Sequence, residues 1–382
     1  MKKFKSLISL GLAAAMTVSA MTGCNNSGTS DNGGESAGED TIVLGSSGPL
    51  TGNAASYGTS VKQGAEIAIE EINAAGGVLG KQLELKFYDD ECNEEKALTA
   101  YNKCVDDGMV AFMGCVTSGT SLAVAPESAN DGILLLTPSG SSEDITNESN
   151  AFRICFTDPL QGVTMADYAM NTLGYSKIAV IYDVSDAYSS GMRDAFEAQV
   201  AANGGQIVAS ESFTSGDVDF NTQLTKIAST DAEVIFLPIY YTEVGYITSQ
   251  AAKAGMTIPF IGGDGWDGVL DQVEDPATVE GSIFLSPFTA DDTSEKVQAF
   301  VATYNEKYSA RPDQFAADGY DAVYVIKNAI ETAGSTDKQA IIDAMTQVSF
   351  DGLTGNMSFD VNGEPIKEAK TVIIQDGKYV AQ

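Results

Sequence analysis

From Thr41 onward, short β-rich runs alternate with amphipathic segments in a regular beat, which points the chain to parallel βαβ units with helices on both faces of a sheet. TIVLGSS (41–47) precedes a helical pattern in which Val61, Ala65, Ala68 and Ile72 share a face, and INAAGG closes that helix with glycines. QLELKFYDD, VAFMG and ILLL continue as strands, with helices expected over 94–105 and 122–130. After FRICFTDPLQG the beat restarts. KIAVIYD, QIVASESF, EVIFLP and PFIGG alternate with helices near 164–173, 190–202, 220–227 and 243–254. The tail carries SIFLSPF, helical stretches over 294–345 and strand-like pieces ending in TVIIQDGKYV.

The expected fold is therefore α/β, with two doubly wound Rossmann-like lobes. In the simplest topology the late helices return to the first lobe and the last strands to the second. That assigns 41–158 plus 288–350 to an N-terminal lobe and 159–287 plus 351–382 to a C-terminal lobe, with a cleft between them.

Composition removes several classes of function. The chain has 382 residues, 43% of them hydrophobic, enough for two cores. Its formal charge of −32, from 53 Asp and Glu against 21 Lys and Arg, repels phosphate backbones and anionic lipid, so nucleic acid is not an expected partner. Histidine is absent, which removes the commonest general base, the Ser-His pair and the usual zinc ligand. Four of the five cysteines, Cys92, Cys104, Cys115 and Cys155, lie at spacings unlike those of a zinc site, and sequence does not select a disulfide pairing among them.

The N-terminus reads as an export signal over 1–23: basic MKKFK, the apolar run LISLGLAAAMTVSA, then MTGC, which resembles a bacterial lipobox with Cys24 as the lipid-modified residue. Residues 24–40 are, after Cys24, Ser, Thr, Gly, Asn and acid with Ala37 the one apolar residue, the composition of a flexible tether. Lipid on Cys24 would be the only membrane attachment, on the outer face of the cell membrane.

In open α/β sheets ligands bind beyond the carboxyl ends of strands. Those ends carry CVTSGTS, TPSGSS, VSDAYSSG, IYYTE and DGWDG. Ser118, Gly119 and Thr120 lie between a strand and a helix expected to begin near Ser121, whose free amides and dipole favour an anion, and Ser139 and Ser141 sit at the next strand end, so two hydroxyl loops can converge on one carboxylate. Neither loop carries a P-loop lysine, which disfavours phosphate. Asp264 and Asp267 lack the remaining ligands of a calcium loop, so neither metal nor cofactor is expected. Asp264 opposite the serine loops makes a trap for a zwitterion, and Asp267 receives no ligand contact. Tyr57, Tyr188, Tyr240 and Trp266 are candidates to wall an apolar pocket.

These stretches resemble the branched-chain amino-acid-binding proteins, the leucine/isoleucine/valine-binding receptors of ABC transporters, with a type I periplasmic-binding fold. The likeness runs from Thr41 to the C-terminus through GPLTGNAASYG, INAAGGVLG, YDDEC, GCVTSGTSLAVAP, GILLLTPSGSS, FTDPLQG and IGGDGWDG. It implies three hinge crossings, near 157–161, 285–288 and 349–352, closing the lobes over a ligand. It further implies that Ser118 and Ser141 hold the α-carboxylate, the Ser139 carbonyl and Asp264 hold the ammonium, and Tyr188 and Tyr240 close from the second lobe. Tyr57, Phe315 and Val116 would surround the side chain. Asp264 stands where the branched-chain binders carry Glu, and Trp266 has no counterpart in them. Cys92 matches a cysteine that is bridged in some relatives, whose usual partner position is Thr117 here. The implied partners are an amino acid, most simply neutral and aliphatic, and a permease pair, with the receptor a monomer. Receptors for a short amide or other polar solute, and sensory modules, share the fold. An exported hydrolase built on Ser118 and Asp264 finds no His or suitably placed Lys to activate it.

Overall fold

The computed structural model describes residues 41–367 and 369–382; the leader, Cys24 and the tether lie outside the described residues. The first sheet is wholly parallel. Its strands are β1 (Thr41–Gly48), β2 (Gln82–Asp89), β3 (Ala111–Met113), β4 (Leu134–Thr137) and β5 (Ala151–Arg153), in the order β2-β1-β3-β4-β5. Burial on both faces explains why the strands read as unbroken apolar runs rather than alternating ones. Ile42 and Leu44 of β1 pack toward α1 (Ala55–Ala74), while Val43 between them packs toward α2 (Glu94–Asp106) and α3 (Ser118–Asn130).

The second sheet repeats the plan. It contains β6 (Lys177–Asp183), β7 (Gln206–Phe213), β8 (Val234–Leu237), β9 (Phe260–Gly262) and β10 (Ile283–Ser286), all parallel. One face is covered by α4 (Asp158–Asp167) and α5 (Ala187–Ala202), the other by α6 (Asn221–Ala228) and α7 (Tyr241–Lys253). A four-residue α8 (Val269–Gln272) follows β9. In both lobes the first strand lies between its successors, so the chain reverses direction across the sheet at β1 and again at β6. That switch point is where an open α/β sheet offers a crevice.

The helices of the tail, α9 (Glu295–Tyr308), α10 (Gln314–Ala333) and α11 (Lys338–Ala344), pack on the first lobe. Two glycines let α1 and α10 cross closely. A Cβ on Gly64 would stand 1.8 Å from the carbonyl oxygen of Ala316, and one on Gly319 would stand 2.2 Å from that of Val61.

The third crossing differs from expectation. Residues 349–352 do not lead into the second sheet: β11 (Ser349–Gly352) pairs with β12 (Gly355–Ser358) as a separate two-stranded sheet, and Asp321 of α10 accepts from the amides of Leu353 and Thr354. The chain stays against the first lobe through Gly363, whose carbonyl accepts from Arg153, and joins the second sheet at β13 (Lys370–Gln375), antiparallel to β10, followed by β14 (Lys378–Ala381). Lys367 still donates to the Ile154 carbonyl and the Thr354 hydroxyl, so the crossing falls between Lys367 and Lys370, and residues 351–367 belong with the first lobe. A hairpin satisfies its own ladder, so strand-like composition at 349–358 gave no sign of which sheet it adjoins.

Helix starts also fall earlier than their apolar pattern suggests. α3 begins at Ser118 and α4 at Asp158, each a short loop after its strand, and Thr157 caps α4 by accepting from the Leu160 amide.

The glycine crossing gives a stability prediction. Gly64→Ala should push α1 and α10 apart and lower stability by about 1–3 kcal/mol, an overpacking cost, read as a drop in thermal midpoint. Gly204→Ala, where a Cβ has open space but φ is +81°, should cost only its backbone strain, about 1 kcal/mol.

Candidate ligand-binding site between the lobes

Two serine loops of the first lobe meet at the carboxyl ends of β3 and β4. The Ser118 hydroxyl accepts from the amides of both Ser141 and Ser142, at 3.1 Å each, so the first residue of α3 is bonded into the second loop. The Thr117 side chain makes no cap bond, leaving the first turn of α3 to an outside acceptor. The Ser139 hydroxyl donates to the Val116 carbonyl at 2.6 Å, and Thr137 accepts from the Gly140 amide. Behind the loop lies a residue the sequence reading missed. Arg153, fully buried, donates to the carbonyls of Gly140, Ser142 and Glu143 and pairs with Glu364 at 2.9 Å. Its charge is directed at backbone oxygens, away from the cleft.

The second lobe contributes Asp264, at the start of a single 3-10 turn after β9. One carboxylate oxygen accepts from the Tyr188 hydroxyl at 2.9 Å, and its amide donates to Gln161 at 2.9 Å. Tyr188 also accepts from the Gly265 amide and stacks on Tyr240 with ring centroids 4.9 Å apart. Burial pushes the Asp264 carboxyl up to about 6, against the opposing hydrogen bonds of Tyr188 and Gln161. Asp158, at the start of α4, is buried close enough that Asp264 helps hold it well above the usual carboxylate range, after its own burial.

Tyr57 joins the lobes. Its hydroxyl accepts from the Tyr241 amide and donates to the Gly265 carbonyl, while its ring lies 4.1 Å from that of Phe315 and 5.5 Å from that of Tyr240. The Thr242 hydroxyl donates across the lobes to the Asn53 carbonyl at 2.6 Å.

Ser118, Ser139, Ser141, Tyr57, Val116, Phe315, Tyr188, Tyr240 and Asp264 line one cavity, together with Thr117 and Gly265. Its volume is about 10 Å³, room for a single water, so an organic solute reaches these groups only when the lobes part. A wider space of about 350 Å³ leads to it, sharing Thr117 and Tyr240 and walled by Glu91, Glu94, Asp183, Asp186 and Glu243. Such an entrance favours cations over anions.

Trp266 is the correction. It does not line the cavity but is fully buried in the second lobe, with its indole N–H donating to the Leu237 carbonyl at 2.9 Å and its ring stacked on Phe284. In a 3-10 turn each residue advances about 120°, so residue 266 cannot share the direction of residue 264. A Cβ on Gly262 would stand 1.8 Å from the indole nitrogen, which is why that position is glycine. The four cysteines are free thiols, and Cys92 lies 3.4 Å from the Thr117 hydroxyl. Gln161 and Gln314, which hold the Asp264 backbone, gave no sequence signal, because amides inside an apolar helix pattern look like ordinary surface positions.

Comparison with known proteins agrees with this architecture. Over 303 residues, 79% of this chain and 82% of the other, the sequence is 36% identical to Leu/Ile/Val-binding protein homolog 3 of Brucella melitensis. It is 31% identical to the leucine-, isoleucine-, valine-, threonine- and alanine-binding protein of Pseudomonas aeruginosa, over 85% of this chain and 87% of that one. The crystal structure of the branched-chain amino acid transporter substrate-binding protein LivJ from Streptococcus pneumoniae, in complex with isoleucine, superposes with a TM-score of 0.84 at 32% identity, covering 90% and 99% of the two chains. Among the described residues no helix is long and apolar enough to cross a membrane. The family model described as periplasmic binding protein matches residues 41–378, and the chain belongs to that family, in its branched-chain amino-acid-binding branch.

Proposed function

We propose that the protein is an extracytoplasmic receptor for a neutral α-amino acid with an aliphatic or branched side chain, anchored by lipid on Cys24, which closes about its hinge and passes its ligand to an ABC transporter permease. One observation carries the reading: Asp264 of the second lobe faces Ser118 and Ser141 of the first across a cavity walled by Tyr57, Val116 and Phe315. The α-carboxylate is received by the hydroxyls of Ser118 and Ser141 and the N-terminal turn of α3, neutral donors suited to a monoanion. The ammonium pairs with Asp264 and the Ser139 carbonyl. An uncharged amide would leave Asp264 without its counter-charge, which disfavours that alternative ligand. Because the ligand touches both lobes only when they close, it shifts the equilibrium toward the closed form by its differential contacts. Neither nucleophile chemistry nor a cofactor has a part in this cycle.

Calorimetric titration of protein stripped of carried-over ligand, against each of the twenty amino acids, tests the reading. Leucine, isoleucine or valine should give heat, while isovalerate and isoamylamine, each lacking one charge, should bind at least about a hundredfold more weakly. No response to any amino acid would sink it.

Asp264→Ala should weaken binding by about a hundredfold or more, since an ammonium would then be buried without its partner. Acid should do the same gradually. Asp264 must be ionised to pair with the ammonium, so affinity should fall as pH drops through the pKa the group has in the open, ligand-free protein, by up to about tenfold per unit.

A further inference from the structure

The second aspartate of the loop after β9 has a partner outside its own lobe. Asp267 is buried, and one of its carboxylate oxygens accepts at 2.9 Å from the backbone amide of Gln314, the first residue of α10 in the first lobe. The side chain of the same glutamine donates at 2.6 Å to the Asp264 carbonyl. Asp267 in turn donates its amide to that carbonyl at 3.1 Å. Ligand contact and lobe contact therefore issue from one short loop, and both end on Gln314.

Asp313 precedes Gln314 and serves the same helix end, accepting from the Ala316 amide at 2.9 Å and from the Ser60 hydroxyl at 2.6 Å. Two carboxyls, one from each lobe, thus crowd one helix N-terminus. The other charged or titratable groups facing them are Asp264 in the loop, Asp271 on α8, Asp318 on α10, Tyr304 on α9 behind Ser60, Tyr379 on β14, and Arg311 and Lys378 at the rim. Arg311 is turned to Asp291 at 2.6 Å, and among the described residues neither Asp267 nor Asp313 forms an ion pair. Burial, and for Asp267 the neighbouring Asp313 carboxyl, hold both acids above the usual carboxylate range.

We propose that Asp267 is a positioning residue for ligand capture, a latch that holds the lobes shut through the first turn of α10, and that closure against Asp313 takes up one proton. This rests on the reading that the lobes open and close. When they part, Asp267 leaves Asp313 for water and its pKa returns toward the ordinary range. A group whose pKa is higher in the closed state stabilises that state at low pH and loses its effect as pH rises through the closed-state value. The latch therefore weakens on the alkaline side, opposite in direction to the loss caused by Asp264 in acid.

The test is the pH profile of affinity for the amino acid that gives heat with wild type, from about pH 5 to about pH 9, measured by calorimetry in buffers of different ionisation enthalpy. Wild type should lose affinity on the alkaline side, by up to about tenfold per pH unit, with net proton uptake on binding. Asp267→Asn keeps an oxygen for the Gln314 amide and places an NH₂ toward Asp313, so it should flatten the alkaline limb while leaving the acid limb intact. Asp267→Ala should bind about tenfold more weakly at neutral pH. A wild-type alkaline limb in Asp267→Asn, or no proton uptake by wild type, overturns the latch. Small-angle scattering of the ligand-free proteins separates this from the function reading: the radius of gyration of wild type should rise with pH and that of Asp267→Asn should not. If no amino acid binds, the function reading fails and the scattering decides the latch alone, a constant wild-type radius overturning it.

Discussion

The ends of an α-amino acid carry opposite charges a few ångströms apart, and this chain places the complementary groups on different rigid bodies. In the proposed capture, the donors for the anion sit on the serine loops of the first sheet, and the counter-charge for the cation sits on the loop after β9 of the second. Neither lobe alone offers a buried zwitterion its full set of partners, and desolvating a charge without one is costly. In that proposed cycle, selective capture and lobe closure are the same event. Of the glutamines that fix the Asp264 backbone, Gln161 comes from α4 beside the first crossing and Gln314 from α10 of the first lobe, so the counter-charge is positioned from both sides of the cleft.

Arginine placement makes the anion side selective. Arg153 could have met an anion directly, yet its guanidinium is turned to three carbonyls and to Glu364, so the cleft meets its ligand with hydroxyls and amides. A phosphate dianion finds too little charge there, and the acidic entrance repels it further. The bond from Arg153 to Glu364 also ties the serine loop to the chain entering the third crossing.

Much of this was legible in the amino-acid sequence, and the reasons are physical. Parallel strands buried on both faces announce themselves as apolar runs, and the crevice beyond their carboxyl ends is set by topology, so Ser118, Ser141, Asp264 and Tyr188 are found among the residues just past each run. What escaped depends on direction rather than composition. Trp266 stands two residues from Asp264, but a tight turn sends it into the core, and no pattern of residue types reports that rotation. Asp267 looked like spare acid in a glycine loop, because its partner, the Gln314 amide, is a backbone group 47 residues away. The hairpin over 349–358 showed strand character without showing its sheet.

The close crossing of α1 and α10 at Gly64 and Gly319 means that Tyr57 and Phe315 ride on one rigid unit. The wall that meets a ligand's side chain is thus built before the lobes move, and it shares no residue with the groups that meet the charged ends. Preference among side chains can drift by substitutions on these two helices while the capture of the backbone zwitterion stays unchanged, so one hinge and one charge trap can serve a succession of nutrients.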